Sequence, residues 1–219
     1  MKAWKKVLST VITGMMVLAM AGCSSVKFEP TENSIFVKKD KTVVSFEAVS
    51  IDNSAFDAPR YDENEMKTFL ETAVKEYNKG TCGKDLAYLE DKKDELNISI
   101  DEFKVENQNA TAKLNYKSAE DYLKFNGTED AGSVKDLIIG TVADGINSGL
   151  DFSGMVNADG SAADVEAIQK NKKYSLVALT GPVRMVVEGK VQYMSAGVSL
   201  ADENTVVTSG DETVYIIFK

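Results

Sequence analysis

Beyond residue 33 the apolar positions of this chain change period several times, and each change marks an element. Residues 34–37 and 42–51 are short and rich in β-branched and aromatic side chains. The polar run Lys38-Lys39-Asp40-Lys41 between them predicts a β-hairpin. Residues 54–61 read as a loop around Pro59. The period then becomes helical. Met66, Phe69, Leu70, Ala73, Val74 and Tyr77 recur at helix spacing, Asp62 and Glu65 form a capping-box-like start, and Gly80 closes the element. A stripe of this kind predicts a helix packed on its own sheet. Residues 85–95 mix both signs of charge, with Leu86, Tyr88 and Leu89 as the sizeable apolar residues, and read as a short solvated helix or loop.

A second hairpin is predicted over 97–105 and 110–117, turning at Glu106-Asn107-Gln108-Asn109. In its second strand Ala110, Ala112, Leu114 and Tyr116 alternate with Thr111, Lys113, Asn115 and Lys117, the pattern of a half-buried strand with one wet face. Ser118 with Asp121 three residues on caps a short helix that Gly127 ends. Residues 134–139 are apolar enough for a buried strand, and Thr141 with Asp144 caps a helix ending around Gly149. The last third is strand-rich: 174–179, 183–187, 190–195, 198–200, 205–208 and 213–218, separated by short turn sequences such as Gly181-Pro182 and Glu188-Gly189. Short connections of this kind predict antiparallel neighbours. The fold class expected is α+β, with antiparallel sheets, a few short-to-medium helices clustered in the middle of the chain and a strand-rich C-terminal third.

The first 22 residues follow a different pattern. Lys2, Lys5 and Lys6 precede an uncharged, mainly apolar run of 15 residues, Val7 to Ala21, and Cys23 follows Met20-Ala21-Gly22. A spanning helix needs about 20 predominantly apolar residues, and this run includes Ser9, Thr10, Thr13 and Gly14. The arrangement is that of a secretory signal, and Met20-Ala21-Gly22-Cys23 resembles a lipobox, with Met where Leu is the commoner residue. The expected organisation is a signal peptide over 1–22, a lipid-anchored tether over 23–33 with Pro30 in it, and a single extracytoplasmic domain over 34–219. Cys23 is the expected attachment point of a covalent diacylglycerol, which ties the protein to the cell membrane. No other cofactor is expected.

Composition changes the picture in two ways. Removing residues 1–22 takes three lysines and no acid from the chain, so a net charge of −9 becomes −12 over 197 residues. An acidic exported domain repels polyanions, which disfavours nucleic acid as a partner. With Cys23 acylated, Cys82 is the remaining thiol, so no internal disulfide is expected. Lys79 and Lys84 near Cys82 are the kind of neighbours that make a thiol reactive, but no histidine is present to partner it, and Cys82 is read as an incidental loop or semi-buried thiol.

Candidate chemistry is sparse. The chain contains no histidine, which removes histidine-based triads and acid–base work. Gly140, Gly145 and Gly149 lack the spacing of a dinucleotide-binding loop. Asn157, Asp159, Gly160 and Ser161 suggest a calcium loop superficially, but Gly160 falls at the fourth position and Ile168 at the twelfth, where an EF-hand wants Gly at the sixth and Glu at the twelfth. No catalytic, cofactor-binding or metal site is assigned. Tyr116, Tyr122 and Phe125 are read as core aromatics in preference to a pocket lining.

The stretch from Tyr116 to Gly127, followed by Gly140-Thr141-Val142-Ala143-Asp144-Gly145, Leu150-Asp151-Phe152 and the helix end Glu76-Tyr77-Asn78, resembles a family of lipoproteins of Gram-positive anaerobic bacteria whose role is unknown. The resemblance carries over no catalytic or ligand residue. It implies a membrane-tethered domain on the outer face of a cell with one membrane. The function expected is non-enzymatic binding or scaffolding of an envelope protein. The alternatives are a small-ligand-binding lipoprotein associated with transport and, behind it, a carboxylate-based envelope hydrolase.

Overall fold

The computed structural model describes residues 26–51, 62–91, 95–106, 109–129 and 132–219. The signal segment, Cys23 and the whole loop expected over 54–61 around Pro59 lie outside these residues. Twelve strands and four helices are described, the helices falling in the middle of the chain and the strands dominating its last third. The class is α+β with predominantly antiparallel sheets. The chain groups into two compact units, one drawing on Glu29–Ser34 and Val44–Lys117, the other on Ile35–Val43 and Ser118–Lys219 together with residues 26–28.

The first unit contains β2 (Val43–Ser50), α1 (Glu63–Thr81), β3 (Ile98–Glu106) and β4 (Asn109–Tyr116). Asp62 caps α1, its carboxylate accepting the amides of Asn64 at 2.8 Å and Glu65 at 3.3 Å. The helix passes the expected stop at Gly80 and ends at Cys82, whose amide donates to the Asn78 carbonyl at 2.8 Å. Met66, Leu70, Val74 and Asn78 form its buried line at four-residue spacing, while Phe69, predicted in the stripe, is 40% exposed. The alternation in β4 holds at every position, with Ala110, Ala112, Leu114 and Tyr116 buried. β3 meets it antiparallel through a bulge between Ile100 and Glu102. The extra residue shifts the inward phase, so that Ile98 and Ile100 before it and Phe103 and Val105 after it pair with the buried side of β4. Met66, Ile51 and Ala110 form a core with Phe103 and Val105 against it.

The second unit holds β1 (Ser34–Val37), α2 (Ala119–Asn126), β5 (Asp136–Thr141), α3 (Val142–Asn147), β6 (Met155–Asn157), α4 (Val165–Lys170), β7 (Ser175–Thr180), β8 (Val183–Val187), β9 (Val191–Ser195), β10 (Ser199–Asp202), β11 (Thr205–Thr208) and β12 (Thr213–Phe218). Two sets of strands form, β10-β11-β8-β1 and β5-β7-β12-β9-β6. The C-terminal strands therefore depart from the simple succession of hairpins that their short turns predict. Only β10 and β11 pair across their own turn; at the other connections from β7 to β12 the chain crosses between the two sets. β1 also pairs parallel with β8, Ile35 opposite Met185 and Val37 opposite Val187.

The corners explain the crossing. Gly181 takes φ 121°, and a Cβ there would lie 2.7 Å from the Ser133 carbonyl oxygen, so the sharp exit from β7 needs glycine. Its carbonyl is fixed by the buried Thr208 hydroxyl at 2.7 Å, which in turn accepts the Val183 amide at 3.0 Å. The central strands of the five-stranded set are buried on both faces: Leu176, Val177, Ala178 and Leu179 in β7, and Ile216, Ile217 and Phe218 in β12. One face packs against Val142, Phe152, Met155 and Ile168 around α3 and α4. The expected buried strand over 134–139 is instead β5, an edge strand two residues later, with Ile138 58% exposed.

Candidate functional site

The residues singled out from sequence do not converge on one place. Cys23 lies outside the described residues. The stretch expected as a tether is held against the second unit by Phe28, which stacks on Phe36 at 5.4 Å. Asn33 accepts the Ala48 amide at 2.7 Å in the first unit. Cys82 is a half-buried free thiol at the C-terminal cap of α1. Tyr116 is buried, with its hydroxyl 3.2 Å from Ser45 Oγ, and Tyr122 is buried on α2.

The stretches 116–127 and 140–145 singled out from sequence are structural punctuation. Ser118 caps α2, its hydroxyl accepting the Asp121 amide at 3.1 Å and donating to the Asp121 carboxylate at 2.6 Å; Gly127 ends the helix at φ 72°. Thr141 and Asp144 form a reciprocal capping box on α3. Asn78 is the member of this group that sequence reasoning passed over. Fully buried, it donates to the carbonyls of Leu86 at 2.8 Å and Ile98 at 2.7 Å and accepts the Ile98 amide at 3.0 Å. It thereby clamps the helix end to the following loop and to β3. An Asn on the apolar line of a helix, four residues after Val74, was the available signal.

The carboxylates are engaged locally. Asp151 accepts the amide and hydroxyl of Ser153 at 2.8 and 2.5 Å, Asp159 those of Ser161 at 2.9 and 2.6 Å, and Asp40 those of Thr42 at 3.0 and 2.6 Å. The Asp-x-Ser/Thr spacing is thus a turn-forming signal repeated three times, and the calcium-like run at Asn157–Ser161 is one case of it. Hydrogen bonds hold Asp151 and Asp159 below the ordinary carboxylate range, the serine hydroxyl contributing most. Asp144 is lowered by the Thr141 amide and then its hydroxyl, and Asp211 by the Lys135 ammonium 2.6 Å away. At Asp40 burial acts upward but the Thr42 hydrogen bonds outweigh it. Every carboxyl with a resolved shift is shifted down, which suits caps and ion pairs and not a general acid.

No group of three or more acidic, histidine or cysteine side chains among the described residues is placed to hold a metal ion. A shallow open hollow lies over α1, lined by Asn64, Glu65, Thr68, Phe69 and Thr72. Exposed Ile138 shares a cross-strand row with Ala178 and Tyr215, giving the five-stranded set a small apolar strip. No helix among the described residues is long and apolar enough to cross a membrane. Comparison with protein families, curated proteins and solved structures finds no match.

Proposed function

We propose that this protein is a lipid-anchored domain on the extracytoplasmic face of the cell membrane, where it binds or scaffolds an envelope partner without catalysing a reaction. The observation that carries the reading is Cys23 directly after Met20-Ala21-Gly22, behind a basic n-region and an uncharged apolar run. One acyl chain holds a protein only marginally, at about 0.8 kcal/mol per buried methylene, and two hold it stably. A diacylglycerol thioether at Cys23 meets that requirement alone. The downward-shifted, locally bonded aspartates support the non-enzymatic part.

The test is incorporation of labelled palmitate with membrane fractionation, run on the wild type and Cys23→Ala. Labelled wild type in the membrane fraction and unlabelled, released Cys23→Ala are the expected results. Equal membrane retention of both forms refutes lipid anchoring. Measurable hydrolase turnover on cell-wall fragments by the purified protein refutes the non-enzymatic assignment.

A further inference from the structure

The stretch between the expected anchor and β1 is packed where a free tether was expected. Val26, Phe28 and Pro30 are half-buried while Lys27, Glu29 and Thr31 are exposed, the period-two pattern of an extended segment with one side laid on protein. Within the second unit Phe28 stacks on Phe36 of β1, ring centroids 5.4 Å apart and planes 16° from parallel. Phe36 is itself buried, so Phe28 rests on a side chain fixed in the core. Within the first unit Asn33 accepts the Ala48 amide at 2.7 Å, and the Ser34 hydroxyl donates to the Glu32 carbonyl at 2.9 Å. Ser24 and Ser25 are the two residues between Cys23 and Val26.

Chain length then decides the geometry. The three steps from Cys23 to Val26 span at most about 11 Å of extended chain. The headgroup layer of one leaflet is about 5–8 Å deep, and acyl chains in the hydrocarbon hold Cys23 within it. Val26 therefore stands within about 6 Å of the headgroup surface. A free tether would instead give ten steps from Cys23 to Asn33, about 36 Å, enough for the domain to float clear of the bilayer.

We propose that the second unit is seated on the surface of the bilayer that holds its own anchor, with Phe28 as the latch that removes the slack. The proposal rests on the lipid-anchor reading above. The surface it names is the one around Val26 and Phe28, and the partner is the lipid headgroup layer. A leash of two residues suffices on a neutral bilayer, so no charge attraction is required.

Full-length lipidated protein in phosphatidylcholine vesicles tests it. Energy transfer is measured from a dye at Lys39→Cys, in the second unit and in a Cys82→Ser background, to acceptor-labelled headgroups. Inserting twelve Gly and Ser residues between Ser25 and Val26 leaves the Phe28 stack intact and adds about 19 Å of root-mean-square reach, which is expected to lower the transfer efficiency about twofold. Phe28→Ala is expected to lower it in the same direction. Trypsin cleavage after exposed Lys27 releases the domain, and is expected to run about tenfold faster in Phe28→Ala than in the wild type, because cleavage follows the population of the undocked segment. Cleavage after Lys104 and Lys124, exposed lysines of β3 and α2, is expected to keep its rate, which shows that the fold is intact. Equal transfer with and without the insertion, the protein remaining bound, overturns the seating and leaves the anchor standing. Cleavage after Lys27 as fast in the wild type as in Phe28→Ala overturns the latch. Wild type that washes off the vesicles as Cys23→Ala does overturns the anchor and the proposal with it.

Discussion

Asn78 and Tyr88 show how single side chains tie the first unit together. Asn78 serves three buried or half-buried backbone groups at once, and a backbone group left unpaired costs about 1–3 kcal/mol. Asn78→Ala is therefore expected to destabilise the fold by about 3 kcal/mol or more, measured as a lower urea midpoint by circular dichroism. Asn78→Asp fails similarly, since a carboxylate cannot donate to the carbonyls of Leu86 and Ile98. Tyr88 donates to Glu71 at 2.9 Å, and burial, then that hydrogen bond and the carboxylate's charge, push its phenol up to about 12. The folded value lies above the unfolded one of about 10. The contact thus stabilises fully below pH of about 10 and is lost as pH rises through the folded value. Spectrophotometric titration of the phenolate, with Tyr88→Phe as the blank, is expected to show Glu71→Gln returning this group toward 10.0.

At the scale of elements, what was legible in the sequence was whatever local pattern decides. The alternation of β4 and the caps at Asp62, Ser118 and Thr141 each depend on residues within one or two turns of one another, and each stands in the structure as read; of the stripe expected along α1, Met66, Leu70 and Val74 are buried while Phe69 is exposed. Strand partners depend on where the chain goes next, and there the reading failed. Gly181-Pro182 and Glu188-Gly189 look like hairpin turns, yet both are corners at which the chain changes sheets. Ile138 looked buried because its neighbours are apolar; only the position of β5 at an edge exposes it. The one site expected from the sequence, Cys23, lies outside the described residues, and the side chains singled out elsewhere stand in caps, turns and cores. Gly145 on α3 tests the role of close approach. An added Cβ would lie 2.8 Å from Leu176 Cδ2 and 3.0 Å from Leu150 Cδ1. Alanine gains about 1 kcal/mol of helix propensity, but overpacking costs about 1–3 kcal/mol. Gly145→Ala is accordingly expected to lower the thermal midpoint, whereas Gly149→Ala, with open space around its Cβ, suffers only the strain of φ 74°.

The whole molecule has an unusual titration inventory, because it contains no histidine. Histidine is the side chain that ordinarily changes charge between pH 5 and 8, so stability over that interval is expected to be nearly flat. The acid limb is set by the aspartates whose native values are depressed: Asp40, Asp144, Asp151, Asp159 and Asp211. A carboxyl with a lower value in the folded state binds protons more readily when unfolded. Its contribution is present above the unfolded value of about 3.9 and disappears as pH falls through the folded one. Protonating the acids also turns a chain with 34 of them and 25 basic residues from net negative to strongly positive, adding self-repulsion to the loss of caps. Urea unfolding at pH values from 2 to 8 is thus expected to give a plateau above about pH 5 and a steep fall below about pH 4. Asp144→Asn and Asp159→Asn separate the two causes: both variants flatten the acid limb by removing a depressed carboxyl, while the self-repulsion of the cationic chain remains. A stability maximum between pH 6 and 7, or an acid limb unchanged in both variants, contradicts this account.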